Sequence, residues 1–210
     1  MTAPLRTEPP YVPIRTSGWP GRRRSPRWLV PAGAILLAIA VAVALAHRPS
    51  HQERATDLRD FLHTMTYDIE SCAGGVHDSM TVLQAIDSGA SHDVSTAATV
   101  ANTGAANCSP ANNELIDDLE NYEVQESLAS YHLQNAVAGL ITWAAPDAEQ
   151  VQADVATVLP ARGTPAEASD RAALQRALGK LDAQRAVVSK ALTPAIRSLS
   201  PHATAPVLAG

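Results

Sequence analysis

The sequence predicts an all-α protein, in which an up-down-up-down antiparallel four-helix bundle outside the membrane follows a single N-terminal transmembrane helix. The first observation is a run without charge at residues 28–46. Beyond it, apolar residues recur at alternating spacings of four and three, the heptad pattern of packed helices. Turn signals divide this later region into four segments of similar length, which favours antiparallel neighbours joined by short loops.

Residues 28–46 are predicted to be a signal anchor that crosses the membrane. A helix of this length spans about 28 Å at 1.5 Å per residue, close to the roughly 30 Å of a bilayer core. Four arginines closely precede the run, so the positive-inside tendency places residues 1–27 in the cytoplasm. Cleavage after Ala46 by a signal peptidase is the alternative and would give a secreted protein. The apolar run is longer than is usual for a signal peptide, which favours the anchor.

Charge is divided unequally along the chain. The first 46 residues hold six arginines against one glutamate, whereas the remainder holds ten basic against twenty acidic residues, so the two parts carry +5 and −10. We expect residues 1–27, which are basic and rich in proline, to be disordered. An acidic outer domain disfavours nucleic acid and anionic lipid headgroups, because binding either polyanion requires Lys and Arg. Abundant alanine, with fourteen arginines against two lysines, suggests a GC-rich bacterial genome.

The extracytoplasmic domain is predicted to cover residues 47–200, and its first helix carries the clearest heptad seam. Gly89 fits the end of this helix and Ser91 fits the cap of the next one. The seam positions are Leu58, Leu62, Met65, Ile69, Cys72, Val76, Ser79, Leu83 and Ile86.

The two cysteines are predicted to form a disulfide. If the chain folds back near residue 90, Cys72 and Cys108 face each other at one height on antiparallel helices. Both lie beyond the predicted membrane segment, in an oxidising compartment where such pairs form. Two buried free thiols are the alternative.

The second helix is predicted at residues 92–121, with a bend at Pro110, which lacks a backbone donor. A third helix then runs from about 125 to 159 and bends at Pro146. One unbroken helix over 111–144 is the alternative, but it would place the charge of Glu126 in the apolar seam.

The turn at residues 159–165 starts a fourth helix, with Thr164 as its cap and Pro165 in its first turn. Residues 201–210 are predicted to be a disordered tail. The fourth seam consists of Leu174, Leu178, Leu181, Arg185, Val188, Leu192, Ala195 and Leu199.

A band of glycines is predicted halfway along the bundle, beside the disulfide. Two interpretations stay open: close packing of helices, which glycine permits, or a cleft that binds a ligand. The band consists of Gly74, Gly75, Gly104, Gly139 and Gly179.

Arg185 is the candidate site residue within this band, because it occupies a seam position. The antiparallel register places it level with Glu70, so we expect a partly buried ion pair, with Asp68 as the second choice of partner. If Arg185 instead bound an anion, Trp143 or His77 would have to lie beside it.

No catalytic or metal motif stands out from the sequence. His77, Asp78 and Ser79 are neighbours on one helix and point in different directions, so they cannot form a triad. The acid-rich stretch 114–126 lacks the spacing and the glycine of a calcium loop. We therefore expect no enzymatic activity, no metal and no cofactor.

The expected function is a protein-interaction or scaffold module of the bacterial cell envelope, anchored in the membrane and binding another envelope protein. The alternative is a sensor or small-molecule-binding bundle that uses the glycine band. Self-association through exposed seam positions is compatible with either function.

Overall fold

The first predicted helix is one continuous element in the computed structural model, which describes residues 48–208. Helix α1 covers His51–Asp87 and has 37 residues. It begins there because Ser50 and Glu53 form a capping box, in which each side chain accepts a hydrogen bond from the other's backbone N–H. All nine predicted seam positions of α1 are buried. The heptad pattern therefore identified the inner face of this helix correctly.

A tight turn ends α1 and leads into helix α2, Val94–Cys108. Gly89 has φ +74°, the left-handed conformation that favours glycine. The cap of α2 is Asp93, whose carboxylate accepts a hydrogen bond from the N–H of Thr96 at 2.9 Å. The prediction of Ser91 as the cap was wrong by two residues, because the turn extends further before the helix begins.

The second predicted helix is divided into two. Helix α2 ends at Cys108, just before Pro110, and helix α3 covers Glu114–Glu120. Between them, the amide of Asn113 donates to the carbonyl of Asn107 at 2.6 Å and accepts from the N–H of Leu115 at 3.2 Å. This asparagine therefore fixes the break and caps α3, where a simple bend at the proline was predicted.

The third predicted helix is also divided, into four consecutive segments. The chain breaks between α3 and Glu126, as predicted, and Glu126 is exposed outside the seam. Ala145, which precedes Pro146, has extended backbone angles of φ −129° and ψ 117°. The bend predicted at Pro146 is therefore present, as a kink in the helix. The segments are a 3₁₀ helix at Glu126–Tyr131, helix α4 at Gln134–Thr142, a π-helical turn at Trp143–Ala148, and helix α5 at Glu149–Ala161.

The last helix, α6, covers Glu167–Leu199 in 33 continuous residues. The chain beyond it does not leave the domain. Pro206 is buried, and the 7 % exposed side chain of Leu208 belongs to the hydrophobic core. The prediction of a disordered tail from residue 201 is therefore wrong for residues 201–208, because this segment has apolar side chains of its own to bury.

The core forms where successive helices contact one another. Helix α1 packs on α2, α2 on α5, and both α4 and α5 on α6, while α1 also reaches α5. The predicted disulfide Cys72–Cys108 joins α1 to α2 with its Cα atoms 4.6 Å apart. Closing a loop of this length stabilises the fold by about 3–4 kcal/mol in the chain-entropy account. The fold class is all-α as predicted, and residues 48–208 contain no β-strand.

The predicted cytoplasmic tail, 1–27, and the predicted transmembrane helix, 28–46, lie outside the described residues. Among the helices between residues 48 and 208, none combines the length and the apolar character needed to cross a bilayer.

Candidate functional site

Three helices meet closely at the level of the glycine band. Gly75 of α1 and Gly104 of α2 lie so near each other that a Cβ atom on Gly75 would be 2.8 Å from the Cα of Gly104. A Cβ atom on Gly104 would overlap the side-chain oxygen of Gln152 in α5. These two positions therefore need glycine, since any side chain would force the helices apart.

Gln152 fills the space between these helices. Its side chain is fully buried, and its Nε2 donates to the Sγ of Cys108 at 2.9 Å and to the carbonyl of Ala148 at 3.3 Å. The hydroxyl of Ser79, also fully buried, lies 3.3 Å from Oε1 of Gln152 and donates to the Gly75 carbonyl at 2.7 Å. The buried amide thus has partners on both α1 and α2, which offsets its loss of water.

The glycine band is consequently a packing feature at three of its five positions. A Cβ atom on Gly139 would lie 2.8 Å from the side chain of Val188, so glycine at this position allows α6 to pack closely on α4. Gly74 and Gly179 face open space. Of the two interpretations, close packing is the one observed at Gly75, Gly104 and Gly139.

The predicted ion pair between Arg185 and Glu70 is not formed. Arg185 is exposed and makes a salt bridge of 2.9 Å with Asp182, one turn away on α6, while Glu70 is exposed on α1. The half-buried neighbour Gln184 occupies the inner position instead, and its Nε2 donates to the Gly139 carbonyl at 3.1 Å. The buried face of α6 therefore includes Gln184 instead of Arg185. Because consecutive helix residues are rotated by about 100°, Arg185 points outward.

The other residues predicted for this site do not converge on it. Trp143 is fully buried in the core, whereas His77 is exposed. Within the described part of the chain, no hydrogen bond or salt bridge joins Arg185, Glu70, Trp143 or His77 to one another.

Asp68, the second predicted partner, is a buried acid without a counter-charge. Its side chain is 6 % exposed, and within residues 48–208 it accepts no hydrogen bond and forms no salt bridge. Burial raises the pKa of the Asp68 carboxyl, and the nearby negative charge of Asp118 on α3 raises it further. Helix α3 therefore packs on α1 against an electrostatic penalty.

A network of salt bridges joins the end of α1 to the start of α6. Arg171 holds the Asp87 carboxylate with two hydrogen bonds of 2.7 and 3.0 Å, and it also bonds Glu167 at 2.9 Å. Arg162 donates to the carbonyl of Ile86 at 2.6 Å. The hydrogen bond from Arg171 holds the pKa of Asp87 below its usual range. These contacts fix the two turns in position, so we assign this network a structural role.

One recess on the described surface, with a volume of about 700 Å³, is here called the basic groove. Helix α1 forms one wall, with Arg59, His63 and Thr66. The segment after α6 forms the other, with Ser200, His202 and Thr204. Its remaining lining is mostly apolar and consists of Ala55, Leu62, Leu199, Pro201 and Ala203.

A second recess, here called the α4–α6 groove, has a volume of about 560 Å³. Ala138 and Gly139 of α4 line it opposite Val187, Lys190 and Ala191 of α6. Val187 is 49 % exposed, unusual for a large apolar side chain in this domain. This groove is a candidate contact surface for another protein.

Sequence reasoning missed both Gln152 and the basic groove. The position of Gln152, four residues after Ala148 and three before Val155, was the available signal, because it places a polar residue in the apolar repeat of α5. The groove had no local signal, since its walls are about 140 residues apart in the chain. No three His, Cys, Asp or Glu side chains of the described part of the chain lie close enough to hold a metal ion.

Comparison of the chain with protein families, with curated proteins and with solved structures gives no significant match. A function must therefore be argued from the residues and surfaces described above.

We predict that Gly104→Ala lowers the free energy of unfolding by about 1–3 kcal/mol, the usual cost of overpacking a core. The added methyl group must displace Gln152 and press on α1. Gly179→Ala is the matched control: its Cβ meets nothing within 4 Å, so it should raise stability by about 0.5–1 kcal/mol through helix propensity. Urea unfolding of the two variants measures both effects. Equal effects of the two substitutions would contradict the close packing described here.

We predict that Asp68→Asn stabilises the protein at pH 7 and has no effect at pH 3. Folding raises the pKa of Asp68, so its ionised form opposes folding. The penalty is absent below the unfolded-state pKa and grows as the pH rises through the interval up to the folded-state pKa. Asparagine resembles the protonated acid at every pH. Asp78→Asn, at an exposed position of α1, is the control, and a pH-independent effect of Asp68→Asn in urea unfolding would refute the assignment.

Proposed function

We propose that this chain is a membrane-anchored protein of the bacterial cell envelope whose outer domain binds another envelope protein. In this proposal residues 28–46 hold the chain in the membrane and residues 1–27 remain in the cytoplasm. Residues 47–200 then lie on the extracytoplasmic side. The charge difference between the two parts of the chain and the disulfide between Cys72 and Cys108 support this arrangement.

We further propose that the outer domain is an up-down-up-down four-helix bundle. Its first and last members are α1 and α6, its second is α2 with α3, and its third is the kinked series that ends with α5. The contacts between successive helices and the short turns after α1 and α5 support this topology. Breaks in the second and third members give it an irregular form.

The observation that carries the proposed interaction role is the filled centre of the domain. Gln152 occupies the level at which bundles commonly bind small molecules. The recesses of the domain lie on its outside, and one of them exposes Val187 beside other apolar side chains. A domain with a filled centre and an external groove that exposes Val187 is suited to docking a protein surface.

Binding of a small molecule is the second candidate function, and the basic groove is the observation that favours it. Its volume of about 700 Å³ lies within the range of ligand sites. A sensor role would then depend on this surface groove and not on the glycine band.

The interaction role can be tested by photo-crosslinking in host cells. A photoreactive amino acid at position 187 of the full-length chain should give a discrete adduct in the membrane fraction. The same amino acid at Arg176, an exposed position of α6 outside both grooves, should give none. Failure to form an adduct at 187, or the same adducts at both positions, would contradict a specific docking surface. A chain that begins at His47 and is recovered only from the medium would contradict the anchor.

A further inference from the structure

The basic groove differs in charge from the domain around it. The extracytoplasmic part of the chain has a net charge of −10, yet no aspartate or glutamate lines the groove. Its charged or chargeable groups are Arg59, His63 and His202. Arg59 is the one arginine or lysine in this lining, and no carboxylate of the described residues lies there beside it.

Arg59 keeps most of its hydrogen-bonding capacity free. Its Nε donates to the carbonyl of Ala55 at 3.2 Å, and its Nη2 donates to the hydroxyl of Thr56 at 3.2 Å. Both acceptors are neutral and belong to the same helix. Its Nη1 donates no hydrogen bond within residues 48–208, and Arg59 makes no salt bridge there. In the part of the chain that the structure describes, Arg162, Arg171 and Arg185 are each paired with a carboxylate, whereas Arg59, like Arg176, is not.

The opposite wall of the groove is held in place by specific contacts. The Ser198 carbonyl accepts from Nε2 of His51 at 3.1 Å, and the Ser198 hydroxyl bonds Tyr131 at 2.9 Å. The N–H of Ala203 donates to the Ser200 carbonyl at 2.8 Å. Burial of Leu208 then anchors the end of the segment. His202 and the hydroxyls of Ser200 and Thr204 are thus presented by an ordered wall opposite α1.

We propose that the basic groove binds a phosphate group. A guanidinium, two imidazoles and two free hydroxyls supply hydrogen-bond donors from two walls. Donors from two directions match a tetrahedral group with several acceptor oxygens better than a planar carboxylate, and arginine is well suited to phosphate. The groove is larger than a phosphate ion, and its apolar lining leaves room for the organic part of a ligand. That ligand is either a phospholipid headgroup or a soluble phosphorylated molecule.

A purely structural role for Arg59 makes a different prediction. The C-terminal end of α6 lies at the same groove through Leu199, and a positive charge there would stabilise the exposed carbonyl groups of the helix. In that case Arg59 matters for stability whether or not phosphate is present.

The test is carbethoxylation of histidines with diethyl pyrocarbonate, using the full chain in micelles of dodecyl maltoside, a detergent without phosphate. Inorganic phosphate is compared with chloride at constant pH and ionic strength, and mass spectrometry gives the rate at each histidine. We expect phosphate to slow modification of His63 and His202 at least about tenfold once the site is saturated. The exposed residues His77 and His92 lie outside the groove and serve as internal controls.

Two variants separate the phosphate site from the structural role. Arg59→Gln should abolish the protection, whereas Arg176→Gln, which removes an equal charge outside the groove, should keep it. Unchanged rates at His63 and His202 with phosphate would overturn the proposal. Protection that persists in Arg59→Gln, or that extends equally to His77 and His92, would also overturn it.

A further arm identifies the source of the phosphate. Micelles of the same detergent that contain phosphatidylglycerol, without added inorganic phosphate, should protect His63 and His202 if the ligand is a lipid headgroup. Protection by inorganic phosphate alone would identify a soluble phosphorylated molecule. Both results support the phosphate site, and both are independent of whether a protein partner is found at the α4–α6 groove.

Discussion

The contact between Gly75, Gly104 and Gln152 is the constraint on which the rest of the domain depends. It brings three helices together where only glycine fits, and it buries an amide that must find partners without water. The disulfide supplies one of them, because the Sγ of Cys108 accepts from Gln152. The disulfide, the close contact between Gly75 and Gly104 and the hydrogen bonds of Gln152 thus lie at one level of the fold. Because these groups already bond one another, the centre of the domain offers little to a ligand.

With the centre closed, the proposed functions depend on how the outer surfaces differ from one another. The salt bridges of Arg171 fix one end of the domain, and the contacts of Ser198 fix the other. The basic groove and the α4–α6 groove differ in chemistry: the first presents a guanidinium, two imidazoles and hydroxyl groups, and the second exposes Val187 beside Lys190 and small side chains. Asp68 adds a local penalty where α3 packs on α1, which makes that contact sensitive to pH. The contacts that stabilise the fold and the surfaces proposed for recognition therefore lie in separate parts of the molecule.

The sequence was most informative where one helix could be judged by itself. The seam of α1 was predicted completely, and the fold-back near residue 90 predicted the disulfide. Errors arose where a distant element decides the outcome. Between Leu181 and Val188 a heptad can be completed through residue 184 or through residue 185, and the sequence analysis chose Arg185. The contact with α4 shows that Gln184 is the inner residue. The groove around His202 depends on a tail that folds back onto the core, which no local pattern encodes.

The most direct test of this account is a double-mutant cycle between Gly104→Ala and Gln152→Ala, read as free energies of unfolding with the disulfide intact. If the Gln152 side chain fills the space above Gly104, the cost of Gly104→Ala should fall by more than about 1 kcal/mol once residue 152 is alanine. Coupling of that sign would establish that the glycine band is a site of close packing. Additive effects would mean that Gln152 does not occupy that space, and the centre of the domain would again be the first place to look for a ligand.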